Sequence, residues 1–247
     1  MIVQEQIIQI GREILSQIEN ISRGINNPWT IIVPLAGVLV ALLLGVVGIF
    51  QDWIRVWFRK PKLIISIKVA PPDYHKTSFY QTGVDRKVSD TYYFRFRVEN
   101  DGNYYAEDTE AMVTEVYKKS GSEYKKIDSF LPLNLIWSHY LQMTMPKIQP
   151  KLFKHLDFGH ILESNSEYLA RFGIKNNTNI FFELDVAVRP NTGSHILLPG
   201  DYRVKIIFAG NNLKPLEKIY NLMIKDGWND NEEEMLQNNI TIEEAIS

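Results

Sequence analysis

A long apolar stretch near the start of the chain sets the strongest limit on how this sequence can fold. It runs from Trp29 to Phe50 and contains no ionisable residue. At about 1.5 Å of rise per residue, a helix of this length covers the roughly 30 Å of hydrocarbon in a bilayer. A buried core helix would carry a polar stripe, and a secretory signal would be shorter and would follow a basic segment. We therefore predict a transmembrane helix over residues 28–52 that stays on the mature protein.

Residues that favour the membrane interface flank this helix on both sides. Tryptophan rings prefer headgroup depth, and Lys and Arg are concentrated after the helix, in a basic linker that we place at residues 53–62. Because basic residues are retained on the cytoplasmic side, we expect a single-pass protein of the cell membrane with its C-terminal domain in the cytoplasm. The predicted anchor residues are Trp29, Trp53, Trp57, Arg55, Arg59, Lys60 and Lys62.

Residues 1–27 form a separate amphipathic element. Isoleucines recur there at steps of three or four, from Ile7 to Ile25, with polar residues between them. This spacing predicts an amphipathic helix. Its apolar stripe could lie in the membrane interface or pack against copies of itself in a short coiled coil.

Small residues recur every three or four positions within the predicted membrane span. Small side chains let two helix backbones approach closely, which favours association inside a bilayer. A homo-oligomer, including a structural or pore-forming one, is therefore one hypothesis for this chain. The predicted helix-packing face consists of Gly37, Ala41, Gly45 and Gly48.

After Lys62 the pattern changes from helical to alternating. Segments such as Tyr92–Glu99 alternate apolar and polar residues, and turns rich in Asn, Gly and Ser separate them. We therefore predict a mainly β fold, with an antiparallel β-sandwich over residues 63–225. Residues 226–247 contain no Lys or Arg and several Asp and Glu residues, which predicts an acidic tail. Its end, around Ile240 and Ile242, could alternatively form a last edge strand or bind a partner.

Two short strings resemble immunoglobulin-like domains. Leu198–Tyr202, followed by an alternating strand, resembles the turn and tyrosine that enter a late strand of that fold. Val98–Gly102 is similar to a turn of prokaryotic adhesion-related immunoglobulin-like domains. The resemblance implies an immunoglobulin-like sandwich in which the hydroxyl of Tyr202 bonds back to the backbone. It also implies an alternative role as an extracellular adhesion-like domain, whereas the charge distribution places the domain inside.

The sequence contains few candidates for chemistry. Cysteine is absent, which excludes disulfides and thiolate ligands, and the net charge of −2 gives no basic field for nucleic acid. No phosphate-binding glycine loop or catalytic motif is present, so we expect no cofactor and favour a non-enzymatic protein. The weak metal candidates are His155, Asp157 and His160, which would share one face of a strand only with a bulge near Gly159. A membrane-anchored enzyme with this dispersed metal site is the corresponding alternative.

Two long segments between the predicted strands hold clusters of aromatic residues. Residues 71–90 are predicted to form an irregular loop that could contact a protein partner or cover one end of the sandwich. The second segment, residues 131–147, holds Trp137, which we expect in the core. We accordingly favour a membrane-anchored protein-binding or sensing module. The possible partner-contacting residues are Tyr74, His75, Phe79 and Tyr80.

Overall fold

The computed structural model describes residues 2–24, 28–68, 70–80, 87–175 and 177–245. The fold is mainly β, with 44% strand and 24% helix, as the sequence predicts. Contacts divide the chain into two compact units, Met1–Phe58 and Arg59–Ser247. The first unit is helical, and the second contains all of the described strands.

Two helices make up the first unit. The first, α1, spans Ile2–Gly24, and the second, α2, spans Pro28–Phe58. Within the described residues, Pro28–Gln51 is the one helical segment long and apolar enough to cross a membrane. Its described side chains are exposed, as are those of Ile10 and Ile14 in α1. The helix continues to Phe58, past the end that we predicted near residue 52.

The second unit contains a β-sandwich built from two antiparallel sheets. Short helical segments interrupt the strands: α3 at Ser166–Ala170, α4 at Glu232–Glu234, and a π-helical turn at Met235–Asn239. In the described part of the chain, the strands are β1 (Leu63–Ser66), β2 (Tyr74–Tyr80), β3 (Lys87–Asn100), β4 (Ala106–Ser120), β5 (Glu123–Lys126), β6 (Leu133–Asn134), β7 (Ile136–Trp137), β8 (Thr144–Ile148), β9 (Phe153–Glu163), β10 (Ile180–Leu184), β11 (Ile196–Leu197), β12 (Gly200–Ala209), β13 (Leu216–Ile224) and β14 (Ile240–Glu244).

The order of the strands differs between the two sheets. In the first sheet the order is β1-β3-β9-β10-β11, with β2 also paired to β3 and β7 to β9. In the second sheet the order is β14-β13-β12-β4-β5, with β6 and β8 also paired to β4. Every pairing between these strands is antiparallel, and β14 is an edge strand of the second sheet.

The core lies between the two sheets and is rich in aromatic rings. Phe96 of β3 is fully buried, with its ring centroid 4.9 Å from that of Phe158 and 4.6 Å from that of Tyr220. Burying each such side chain stabilises the fold by roughly 1.5–3 kcal/mol. Trp137 is also buried, and its indole N–H donates to the backbone oxygens of Thr109 and Met143. Its predicted place in the core is confirmed.

The described residues of the acidic segment after Lys225 are part of the sandwich. They contradict a separate tail and confirm the alternative of a last edge strand around Ile240 and Ile242. Met235 is fully buried in the core, and β14 pairs along β13. Asp230 and Glu232 bind Lys76 of β2. The composition of this segment is that of a solvated tail, but its few apolar residues complete the second sheet and the core.

Candidate functional site

The three candidate metal ligands lie on the outward face of the first sheet. The register of β9 against β3 shifts at Phe158, which creates a bulge and brings His160 to the face that carries His155 and Asp157. Each of the three side chains nevertheless bonds a different partner. Within the described residues, no three His, Asp or Glu side chains are placed to hold a metal ion together. On this face the three side chains belong to separate charge pairs.

Asp73 anchors the first of these charge pairs and is fully buried. Its Oδ1 lies 2.9 Å from Nε2 of His155 and 3.5 Å from Nη2 of Arg97. Its second carboxylate oxygen accepts the backbone N–H of Lys68 at 3.2 Å. The guanidinium of Arg97 also lies 3.9 Å from the ring centroid of Phe153. Because the carboxylate is withdrawn from water, removing one of these partners would leave a buried polar group uncompensated.

Asp157 forms the second charge pair, with Arg95, and lies two residues along β9 from His155 of the first pair. Its Oδ1 accepts from Nε of Arg95 at 2.8 Å and from Oγ of Ser138 at 2.5 Å. Burial raises the pKa of the Asp157 carboxyl, and the bonds from Ser138 and Arg95 only partly oppose this effect. The pair has a structural role, because both side chains are hydrogen-bonded and mostly buried.

A third group of charges lies under the loop that contains α3. Nδ1 of His160 is 2.9 Å from Oδ1 of Asp185, while the hydroxyl of Tyr168 donates to Glu183 at 2.9 Å. Nε of Arg189 lies 2.8 Å from the other oxygen of Glu183. Burial opposes a charge on the ring of His160, but Asp185 and Glu183 together outweigh this effect and raise the pKa of His160.

His195 lies beside this third group and has a different environment. It is fully buried, neither ring nitrogen has a hydrogen-bond partner among the described residues, and the edge of its ring meets Phe172 at a centroid distance of 5.0 Å. Burial lowers the pKa of His195 to about 4, and the positive charges of Arg189 and His160 add to this effect. The neutral ring is therefore the form compatible with the fold.

The segment predicted as an irregular partner loop is largely a strand. Tyr74–Tyr80 forms β2, which pairs with β3, and residues 81–86 lie outside the described residues. Tyr74 is buried in the core, His75 stacks on Tyr93, and Phe79 stacks on His160. Tyr80 is exposed. Three of the four proposed contact residues are thus held against the sandwich, and the set forms no common exposed surface.

A cleft opens beside β14, at the side of the sandwich where the edges of the two sheets face each other. The cleft is mostly apolar, with Thr241 of β14 on its wall and Lys68 and Glu243 as its charged residues. Sequence patterns do not predict this cleft, because its wall is assembled from distant parts of the chain. The apolar lining residues are Ile67, Tyr74, Phe94, Leu236, Ile240 and Ile242.

The backbone of β14 has an open side. Lys225 donates its N–H to Asn239 at 2.7 Å, and Ala245 donates to Ile219 at 2.8 Å. Bonding alternates along an antiparallel pair, so residues of the same parity, Thr241 and Glu243, also bond to β13. The N–H and C=O groups of the other three residues point away from β13, and no described strand pairs with them. These residues are Ile240, Ile242 and Glu244. The N–H of the first of the three, Ile240, donates to the backbone oxygen of Met235, so the open groups lie mainly on the other two.

The predicted anchor residues occupy two settings. Trp29 is exposed in α2, whereas the side chains of Trp53, Arg55 and Trp57 lie outside the described part of the molecule. The remaining three residues lie at the start of the second unit. These remaining residues are Arg59, Lys60 and Lys62. The backbone N–H groups of Lys60 and Lys62 donate to the side chains of Asn103 and Asn100, at the turn between β3 and β4.

The predicted helix-packing face is open on α2. A Cβ atom added to Gly37, Gly45 or Gly48 would meet, within 4 Å, no atom of the described residues beyond the local backbone of α2. Ala41 is exposed as well. The face is therefore free of contacts within the described chain, and self-association through it stays a prediction.

Comparison with known proteins adds no functional assignment. The chain matches no protein-family model and no curated protein. Function must therefore be inferred from the geometry of the sandwich and its cleft.

Proposed function

We propose that this is a single-pass membrane protein whose β-sandwich binds an extended segment of a partner protein along β14. One observation carries the proposal: an edge strand with outward-pointing backbone groups lies directly beside an apolar cleft. An added strand would bond to the outward-pointing N–H and C=O groups of Ile242 and Glu244. Its alternate side chains would enter the cleft, because side chains of a strand point to opposite faces.

The proposed anchor is α2, and the proposed location of the sandwich is the cytoplasm. The length and composition of Pro28–Gln51 support the span. The basic residues Arg59, Lys60 and Lys62 support the orientation. Protease added to sealed cells should leave the sandwich intact, and protease added to inverted vesicles should digest it. Cleavage in sealed cells would contradict the orientation and favour the adhesion-like alternative.

We also propose that the sandwich is immunoglobulin-like. The hydroxyl of Tyr202 donates to the backbone oxygen of Leu198 at 2.7 Å, a bond typical of the tyrosine corner in that fold. The side chain of Asn100, in the second resembling string, accepts the N–H of Gly102 and so closes the turn. A fold of this kind is compatible with many functions, so the binding proposal depends on β14 alone.

Photo-crosslinking at the cleft tests the binding proposal. A photoreactive amino acid at Thr241 should capture one partner protein in cells, through a segment that peptide mapping identifies as a short alternating sequence. The same group at Val188, which is 74% exposed on a distant loop, is the control and should not capture that partner. Capture of a second copy of this chain would instead support the homo-oligomer, and no crosslink would contradict strand addition.

A pair of substitutions at Glu244 separates strand addition from other modes of contact. Glu244→Pro removes an outward N–H without breaking a bond to β13, so crosslinking should fall about tenfold, the equivalent of one hydrogen bond and a steric clash. Glu244→Ala removes the same carboxylate and the same ion pair with Lys218 but keeps the N–H. It should crosslink like the wild type. Equal losses in both variants would assign the contact to the side chain and contradict a role for the edge.

A further inference from the structure

Three separate segments of the chain meet at one end of the sandwich. Backbone N–H of Lys60 donates to the side chain of Asn103 at 2.9 Å, and the N–H of Asp101 donates to the backbone of Lys62 at 2.8 Å. The N–H of Lys151 donates to the backbone oxygen of Asn100 at 2.7 Å. We call this surface the basic end and define it as residues 59–62, 100–105 and 150–153.

The close approach of these segments requires a glycine. A Cβ on Gly102 would lie 2.6 Å from the backbone nitrogen of Lys62 and 2.7 Å from Cα of Pro61. Atoms of the backbone cannot move aside as the tip of a side chain can. The chain that follows α2 is therefore fixed against the turn between β3 and β4 and does not form a free linker.

The basic end presents positive charges together with apolar side chains. Leu152 is 54% exposed and Phe153 is 42% exposed, although both are large and apolar. Arg59 and Lys60 are exposed beside them. The side chains of Lys62 and Lys151 are each 68% exposed and share the carboxylate of Asp101. Cations thus outnumber anions around two apolar side chains that stay about half exposed, although the guanidinium of Arg97 covers part of the ring of Phe153.

The position of the basic end in the chain indicates what covers it. The last residue of α2 is Phe58, and Lys60 is already bonded to the sandwich. The apolar span ends at Gln51, so the rest of α2 adds about 10 Å along the helix axis and the two peptide units from Phe58 to Lys60 add at most about 8 Å. The basic end therefore starts within about 20 Å of the hydrocarbon along the chain. An anionic lipid surface attracts each nearby Lys or Arg by about 1 kcal/mol, and the same layer accepts apolar and aromatic side chains.

We propose that the basic end rests on an anionic lipid surface, with Leu152 and Phe153 inserted among the headgroups. This inference depends on the proposed anchoring by α2. It goes beyond a simple tether, because it fixes which end of the sandwich faces the lipid and leaves the cleft beside β14 at a separate site.

Single-cysteine labelling tests this proposal cleanly, because the chain contains no native cysteine. The full chain with Leu152→Cys would carry an environment-sensitive fluorophore and would be placed in phosphatidylcholine vesicles with or without phosphatidylserine. We expect a blue shift of the emission, and quenching by a headgroup-depth lipid quencher, both stronger with phosphatidylserine. The matched control is Val188→Cys, an apolar site that is more exposed than Leu152, which should show neither effect.

Two further variants make every outcome informative. A label at Leu39→Cys, within α2, should be quenched by a deep lipid quencher and reports on the anchor itself. If the label at residue 39 is quenched and the label at residue 152 is not, lipid contact by the basic end is refuted and the anchor stands. If neither is quenched, the anchoring proposal fails. Adding Lys60→Gln and Lys151→Gln to Leu152→Cys should at least halve the increase in blue shift and quenching that phosphatidylserine causes. An unchanged increase would exclude a role for these two charges in lipid contact.

Discussion

The outward faces of the two sheets carry similar charged residues but keep them in opposite environments. On the second sheet, Lys205 pairs with Glu217 at 3.0 Å, with side chains 24% and 50% exposed. On the first sheet, Asp73 is 0% exposed and Glu183 is 1% exposed. A surface pair contributes little, whereas breaking a buried pair leaves an uncompensated charge. A charged side chain on the outward face of a sheet is therefore not necessarily exposed to solvent.

The loop that contains α3 explains part of this difference. Leu169 is fully buried, Tyr168 bonds Glu183, and Phe172 meets His195. These side chains form a second, smaller apolar cluster over the outward face of the first sheet, together with Leu162. Within the described residues, no comparable cluster covers the outward face of the second sheet.

The largest effect that we expect from breaking this contrast is at Asp73. Asp73→Ala leaves Arg97 without its carboxylate, so the free energy of unfolding should fall by about 3–5 kcal/mol. Urea unfolding of the purified full-length protein, followed by circular dichroism, measures the loss. A loss below about 1 kcal/mol would mean that the outward face of the first sheet behaves like a solvated surface.

A second prediction uses pH to test the buried histidine. Since the pKa of His195 is lowered to about 4 in the fold, the unfolded chain takes up a proton first as the pH falls below about 6.5. Stability contributed by the neutral ring is present above that pH and should decline by up to about 3 kcal/mol by pH 4. In His195→Gln this decline should be absent. The measurement is the difference between the two unfolding curves at each pH.

Other titrating groups face His195 and shape the same curve. The pKa of His160 is raised by Asp185, so its contribution has the opposite sign: it is present at low pH and is lost as the pH rises through the folded pKa. Arg189 and Glu183 also face this position. Comparing His195→Gln with the wild type cancels most of these shared terms, and parallel curves for the two proteins would contradict the prediction.

The smallest effect should come from the second sheet. Glu217→Gln removes the exposed partner of Lys205, and the free energy of unfolding should change by less than about 1 kcal/mol. The residual difference should shrink further in high salt, because screening weakens exposed pairs. A loss comparable to that of Asp73→Ala would remove the contrast between the two faces.

The sequence predicted the architecture of the sandwich better than the burial and partners of its charged side chains. Alternation placed β3 and β12 correctly, because Phe96 and Val204 point inward where the pattern required. The same alternation is present at Arg97 and Lys205, yet Arg97 meets a buried carboxylate and Lys205 meets solvent-exposed partners. Local periodicity reports which face a residue occupies, and it contains no information about which distant segment covers that face.

The features that the sequence did not predict, at β2, at β14 and in the cleft, have the same physical cause. Strand β2 has half-buried polar residues at most positions and pairs along only one side. Its sequence therefore shows little alternation and predicts a loop instead of a strand. Strand β14 has only Ile240 and Ile242 as buried residues within an acidic segment. The candidate site beside β14 draws its wall from residues separated by much of the chain, so no local pattern could predict it.

The pairing order of the strands also has a consequence for how the domain folds. Strand β3 needs β9, and β4 needs β12, so each sheet joins early and late parts of the chain. Contacts between such distant segments slow folding, because a long loop must close before they form. During synthesis, β3 would wait with Phe94 and Phe96 uncovered until β9 emerges from the ribosome. The sandwich is thus expected to fold late and all at once, and a shortened chain that ends before β12 should aggregate instead of forming half of the domain.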